Sequence, residues 1–283
     1  MITGDRVAQL GNDAAIAFLR SLEDPRAIRA VEAARTAVVL FRVSAASKER
    51  PGRIENSGSG VLVNGGRSIL IAGHVLEHFA ELPDVQFSIL MVDGRTRRGR
   101  VPAVRGGTDG APAGDWGLVD LDDPPPTGCP SLSMRDAVEG ATVVLLGYSG
   151  ELGVSGRGVV SLADPIARDP MYPLTFVGRV TDVRFGLAEL LAGSQPLGGS
   201  SGGAVVDLAG NLVGVMTNTF ERSGTWRPLI RNEGDGRLEN GKLDPHSRDR
   251  AGRREWFEFK GTPVGVFREF LERRWQRQSL LGR

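Results

Sequence analysis

Cysteine is almost missing from this chain: Cys129 is alone among 283 residues, so no disulfide can close within it. The fold must then stand on its apolar core, as proteins of reducing compartments do, which argues against a secreted digestive enzyme. Long apolar runs are missing too. The early stretch Ala14-Ala15-Ile16-Ala17-Phe18-Leu19 follows Asp13 and ends at Arg20, too short for a signal core or a membrane span, and the expected location is the cytoplasm. Charge of one sign is absent as a block: 35 Lys and Arg face 34 Asp and Glu, a net charge of +1, so neither a nucleic-acid partner nor a membrane surface is expected. No repeat of fixed period appears, which excludes solenoids and propellers. Histidine is scarce, with three in the chain. His78 lies one helical turn beyond His74, but no further ligands sit near it, and neither a metal site nor a cofactor is expected.

What is present is 40% apolar residues, enough for one large or two medium cores. Val7, Leu10, Ala14, Phe18 and Leu22 recur at helical spacing, and Asp24-Pro25 reads as the N-cap and first-turn proline of a second helix carrying Ile28 and Val31. Residues 1–35 are therefore a helical N-terminal extension. From Thr36 the texture changes to short β-rich runs at 37–43, 60–64, 68–73, 85–92, 98–104 and 116–121, a set that suits one antiparallel barrel. The segment Asp122-Asp123-Pro124-Pro125-Pro126-Thr127-Gly128 is a stiff connector, because successive prolines fix φ. The boundary falls there, giving a first barrel over 36–128 and a second domain over 129–283.

The second domain offers runs at 141–147, 157–162, 174–183, 203–207, 211–217 and 256–260, matching a second barrel. Thr262-Pro263 then reads as N-cap and N1 of a closing helix over 262–277, with Val266, Phe267, Phe270, Leu271 and Trp275 on one face. Residues 221–255 lack either period and are rich in Arg, Asp, Glu and Gly, so they read as a long loop. That loop and residues 5–35 are the two segments available for docking a partner protein. Trp116 and Trp275 read as packing residues, and Cys129 as structural.

Three sites carry chemistry. Gly199-Ser200-Ser201-Gly202-Gly203 presents a serine flanked by glycines. Upstream, the apolar run Ile69-Leu70-Ile71-Ala72-Gly73 delivers His74, and Asp115 opens the run Trp116-Gly117-Leu118-Val119. A serine hydroxyl is a weak nucleophile and needs an adjacent base. An imidazole can take and return its proton, and a carboxylate on the other ring nitrogen fixes the tautomer. This assigns Ser201 as nucleophile, His74 as base and Asp115 as orienting acid, with Asp120, Asp122 and Asp123 as neighbours that the sequence alone does not fully separate from Asp115.

The order His74, Asp115, Ser201 resembles the chymotrypsin-like serine peptidases, and within them the disulfide-free bacterial trypsin-like and HtrA-like branch. Ile71-Ala72-Gly73-His74-Val75 resembles the family's Thr-Ala-Gly-His-Val with isoleucine in the threonine position, and Asp115-Trp116-Gly117-Leu118-Val119 resembles its aspartate segment. Gly199 to Ala204, followed by Asn211-Leu212-Val213-Gly214-Val215, resembles its nucleophile loop and next strand pair. The resemblance spans about residues 36–275 and implies a mainly β fold of two six-stranded antiparallel barrels with the site between them, closed by a C-terminal helix. It further implies an oxyanion hole from the backbone N–H groups of Gly199 and Ser201, and a substrate pocket near Gln195, Thr217, Asn218 and Thr219. No acid sits at the implied pocket base, so the expected preference is a small or medium apolar side chain rather than Lys or Arg. Ser200 stands where secreted members carry the aspartate that pairs with a newly cleaved N-terminus, and the likeness is to the protease part of HtrA alone, without its PDZ module.

The implied activity is a serine endopeptidase acting on polypeptides through an acyl-enzyme. Two rivals stand beside it. One is a catalytically silent two-barrel binding module. The other is an α/β-hydrolase esterase, since Gly199-x-Ser201-x-Gly203 also fits a nucleophile elbow with His246 and Asp207, Asp235 or Asp244 downstream, although that fold needs helices between its strands.

Overall fold

The computed structural model describes residues 4–48, 51–77, 79, 81–100, 104–107, 110–123, 125–148, 152–155, 158–161, 170–182, 187–191, 200–219, 229–230 and 255–280. Two helices open it, α1 (Gly4–Ser21) and α2 (Pro25–Arg35). The Asp24 carboxylate accepts from the Arg26 and Ala27 N–H groups at 2.8 and 3.4 Å, with Pro25 in the first turn where a missing N–H costs nothing. No described helix is long and apolar enough to cross a membrane.

The first sheet contains β1 (Val38–Ala46), β2 (Arg53–Val63), β3 (Ser68–Ile71), β4 (Gln86–Leu90), β5 (Thr96–Gly99), β6 (Val104–Arg105) and β7 (Gly117–Asp120), with helix α3 (Gly73–Glu77) between β3 and β4. Its order is β5-β4-β1-β2-β3-β7-β6, antiparallel throughout. The sheet closes on itself: Gly99 bridges Leu121, and the Arg100 and Asp122 N–H groups donate to the Asp120 and Arg98 carbonyls at 3.0 Å. Six strands thus form a barrel, with the two-residue β6 beside it.

The second sheet contains β8 (Thr142–Gly147), then, beyond a separate ribbon of β9 (Leu152–Ser155) and β10 (Gly158–Ser161), β11 (Leu174–Asp182), β12 (Leu187–Leu191), β13 (Ala204–Asp207), β14 (Leu212–Thr219), β15 (Leu229–Ile230) and β16 (Glu255–Pro263). Its order is β12-β11-β8-β13-β14-β16-β15, and β12 also pairs with β16, which closes a second ring of six. Strand allocation differs here from the sequence reading. The 157–162 run belongs to the β9–β10 ribbon, and the sixth barrel strand is Leu187–Leu191, whose residues favour helix and take strand geometry only because two neighbours flank them. Inside the expected 221–255 loop, Leu229–Ile230 pairs with Trp256 and Glu255.

Alternation sorts the side chains into three cores. Phe41, Val43, Phe87 and Ile89 fill the first barrel, and Val143, Leu145, Phe176 and Val205 fill the second. The largest cluster joins the barrels: Val38, Leu40, Val61 and Leu70 of the first pack with Val144, Leu146, Ala204 and Val215 of the second. Each such fully buried side chain contributes about 1.5–3 kcal/mol, which is how a disulfide-free chain fixes the barrels against each other.

Helix α4 (Val264–Leu280) buries Val264, Phe267 and Leu271 in that cluster. It starts two residues later than expected, because Thr262 and Pro263 are the last residues of β16 and pair with Val215 and Gly214. The N-terminal helices lie against the second barrel and its ribbon, where the Asn12 and Gln9 side-chain oxygens accept from the N–H groups of Thr175 on β11 and Val159 on β10 at 3.0 and 2.8 Å.

Candidate active site

His74 is delivered by β3 and the first turn of α3. Gly73 precedes it because a Cβ there would stand 2.8 Å from the Trp116 carbonyl oxygen, so only glycine lets the two segments lie flush. That contact brings Asp115 alongside. One carboxylate oxygen accepts from the His74 backbone N–H at 2.8 Å and the other meets the imidazole Nδ1 at 2.8 Å. Two of the three neighbouring acids are occupied elsewhere: Asp120 accepts from Ser68 and Arg274 at 2.8 Å, and Asp122 from Arg100 at 2.6 Å.

The His74 and Asp115 side chains are 44% and 36% exposed. The hydrogen bond from Asp115 raises the imidazole pKa above its ordinary 6.5, burial opposes this, and the Asp115 and Glu77 charges add to the rise. With Nδ1 engaged by a carboxylate, Nε2 is the nitrogen left for proton transfer.

Behind Asp115, the fully buried Trp116 ring packs on Phe267 at 5.2 Å and Phe270 at 6.0 Å, and its indole N–H donates to the Pro112 carbonyl at 3.1 Å. The Thr262 hydroxyl donates to the Asp115 carbonyl at 3.0 Å. In sequence, Thr262 has the signature of a helix cap. A threonine before a proline carries that signal equally well, and only the barrel pairing reveals its other use.

Ser201 arrives on a turn pinned from both barrels. Its carbonyl accepts from the Ser59 N–H of β2 at 2.9 Å, and Gly202 donates to the Met216 carbonyl at 2.6 Å. Gly202 has φ +88°, and a Cβ on it would collide with the Ser59 carbonyl oxygen and lie 3.1 Å from the Ala72 N. The serine turn is therefore stacked on the Ile71-Ala72 segment that leads into His74. Ser59, missed in the sequence reading, also accepts from the Tyr148 N–H through its hydroxyl at 2.8 Å; the only trace of it in sequence is the small-residue run Ser57-Gly58-Ser59-Gly60.

The Ser201 hydroxyl donates to the Thr217 carbonyl at 3.4 Å, a long bond, and not to His74. Thr217 is the extra residue of a β-bulge: Met216 faces Gly261 and Asn218 faces Lys260, so the Thr217 carbonyl turns out of the ladder toward the serine. Asn218 and Thr219 continue β14. Gly199, Gln195, His78 and His246 lie outside the described residues.

A serine turn stacked on the segment that leads into a hydrogen-bonded histidine–aspartate pair thus lies where two antiparallel barrels meet, the fold of trypsin-like proteins. A family model described as a trypsin-like peptidase domain matches residues 58–215, more than half of the chain, and the protein belongs to that family. No curated protein matches it in sequence. Among solved structures, 358 chains match. One is described as the HtrA-type protease AlgW with decapeptide, with TM-score 0.45 and 20% identity over 70% of this chain and 60% of that one. Another is a variant of AlgW with decapeptide, with TM-score 0.49 and 17% identity over 87% of this chain and 65% of that one. The chain thus spans less than two thirds of the length of either.

The α/β-hydrolase alternative does not survive the fold. Both large sheets are antiparallel throughout, and none of the described sheet pairings is the parallel strand pair that a βαβ crossover produces.

Proposed function

We propose that the protein is a serine endopeptidase in which Ser201 is the nucleophile, His74 the general base and Asp115 the orienting acid. The observation that supports it most is the two-point grip of Asp115 on the His74 backbone N–H and Nδ1. In this reading Ser201 Oγ attacks the scissile carbonyl carbon while its proton passes to His74 Nε2. The oxyanion is held by backbone N–H groups, assigned to Ser201 and Gly199. The C–N bond then breaks as His74 returns the proton to the leaving amine, and water repeats the sequence on the acyl-enzyme.

Asp115 stabilises the imidazolium of each step. For attack, the Ser201 hydroxyl must turn from the Thr217 carbonyl to His74, a rotation about one side-chain bond that substrate binding would favour. Its present partner supports a second reading, a latent or silent two-barrel binding module. Incubating the protein with an unfolded polypeptide and reading new N-termini by mass spectrometry separates the two. Cleavage that disappears in Ser201→Ala supports the peptidase, and none in the wild type supports the module.

The substrate is a polypeptide in this proposal, with a small or medium apolar side chain preferred before the bond cut. The proposed setting is the cytoplasm, which the lone, unpaired Cys129 suits. Partner docking through residues 5–35 or 221–255 remains part of the same proposal.

A further inference from the structure

Outside the first barrel lies an open groove of about 990 Å³. Its floor is one face of four neighbouring strands, and pairing sets the side chains in rows: Ser57, Arg42, Ser88 and Arg98 lie directly across from one another on β2, β1, β4 and β5. The row before it, Ser59, Leu40 and Leu90, is on the same sheet face but packs against the second barrel: Leu40 is in the joint core, and Ser59 accepts from Tyr148. The groove therefore opens where the contact between barrels stops. It does so one row, about 7 Å, from Ser59, whose N–H holds the Ser201 carbonyl.

Arg98 stands out in this groove. Arg53, Arg95 and Arg100 nearby are paired with Asp84, Asp93 and Asp122, whereas the Arg98 guanidinium has no ion pair or hydrogen bond among the described residues. Asp122, the acid at that end, is occupied by Arg100. Glu55 lies on β2, three strands and about 14 Å away, beyond the screening length at physiological salt. The groove's other arginine, Arg42, already has a partner, and the rest of the lining is mostly hydroxyl and amide side chains with Val85 among them.

We propose that this groove is an extended substrate site in which Arg98 receives an acidic side chain of the polypeptide being cut. The inference rests on the peptidase reading. An extended chain advances about 3.3 Å per residue, so the distance from Ser59 along β2 and across to Arg98 places that acid about four to six residues from the scissile bond.

The test compares matched peptides carrying Glu or Gln at each position up to about seven residues on either side of the bond. A short peptide ending about two residues from the bond on each side serves as reference, because it cannot reach the groove. The enzymes are wild type, Arg98→Ala, Arg98→Glu and, as a charge control on an exposed turn that does not line the groove, Arg67→Glu. The expected result is a preference for Glu of about three- to fivefold in kcat/KM at one or two adjacent positions, weakening as salt is raised. It should be lost in Arg98→Ala, turned toward Lys in Arg98→Glu and kept in Arg67→Glu, with the short peptide cut alike by all. Equal rates for Glu and Gln at every position, or a preference that survives Arg98→Ala, would overturn the proposal and leave the peptidase reading in place. Failure of the wild type to cut even the short peptide would remove the peptidase reading and this proposal together.

Discussion

The Thr262 hydroxyl donates a hydrogen bond to the Asp115 carbonyl oxygen at 3.0 Å, joining the last strand of the second barrel to the residue that orients a histidine on the first. The same Thr262 side chain and Val266 of α4 stand 3.4 Å from where a Cβ on Gly114 would lie. The backbone around Asp115 is therefore set by residues about 150 positions later in the chain.

Replacing Thr262 by Val keeps the shape and removes the donor. The expected outcome is a loss of about 1 kcal/mol in stability and about fivefold in kcat/KM, with the acid limb of the pH profile moving down toward 6.5 as Asp115 loosens its hold on His74. Thr262→Ser should restore all three. A profile that stays unmoved in Thr262→Val would show the bond to be structural only.

His74 supplies the pH dependence. Its pKa is raised above 6.5 in the folded chain, so the ion pair with Asp115 stabilises the fold fully below 6.5 and that contribution is lost as pH rises through the raised value. Activity runs the opposite way, because a base must be unprotonated: kcat/KM should climb with a midpoint above 6.5. Asp115→Asn should lower kcat by about four powers of ten, as the carboxylate is lost from the unit. NMR titration of the His74 ring, wild type beside Asp115→Asn, checks the midpoint, which the substitution should lower.

Gly202 cannot be replaced. With φ +88° and the Ser59 carbonyl where its Cβ would go, Gly202→Ala should destabilise the fold by about 2 kcal/mol or more and abolish activity by displacing Ser201. Gly65, also at positive φ but with open space around it, is the comparison: Gly65→Ala should cost about 1–2 kcal/mol from the backbone alone and leave activity intact. Urea midpoints on both variants measure the difference.

Phe267 carries the helix side of the Trp116 contact. Phe267→Ala should cost about 3–5 kcal/mol through the cavity it leaves. It should also lower kcat/KM in molecules that remain folded, since Trp116 is the residue after Asp115. Thermal melts with activity measured well below the transition separate the two effects.

Much of this was legible locally. The two strand-edge segments around His74 and Asp115, the glycine-flanked Ser201 and the Asp24-Pro25 helix start are all short-range signals, and each element forms where those residues place it. What escaped is tertiary. Arg53 to Ser57 is mostly polar because it faces solvent and the groove, so nothing in it announces the start of an eleven-residue strand. Leu187 to Leu191 carries no β-rich signature and becomes the strand that closes the second barrel. The hydroxyl of Thr262 and the Ser59 contacts depend on partners more than 50 residues away, a separation at which spacing along the chain carries no signal.

The central claim is that Ser201 is a nucleophile activated by His74. The most direct measurement is intact mass after treatment with a fluorophosphonate probe, on wild type, Ser201→Ala, His74→Ala and His246→Ala. The account predicts one adduct in wild type and His246→Ala and none in Ser201→Ala or His74→Ala. An unlabelled wild type, or an adduct that persists without Ser201, would contradict it.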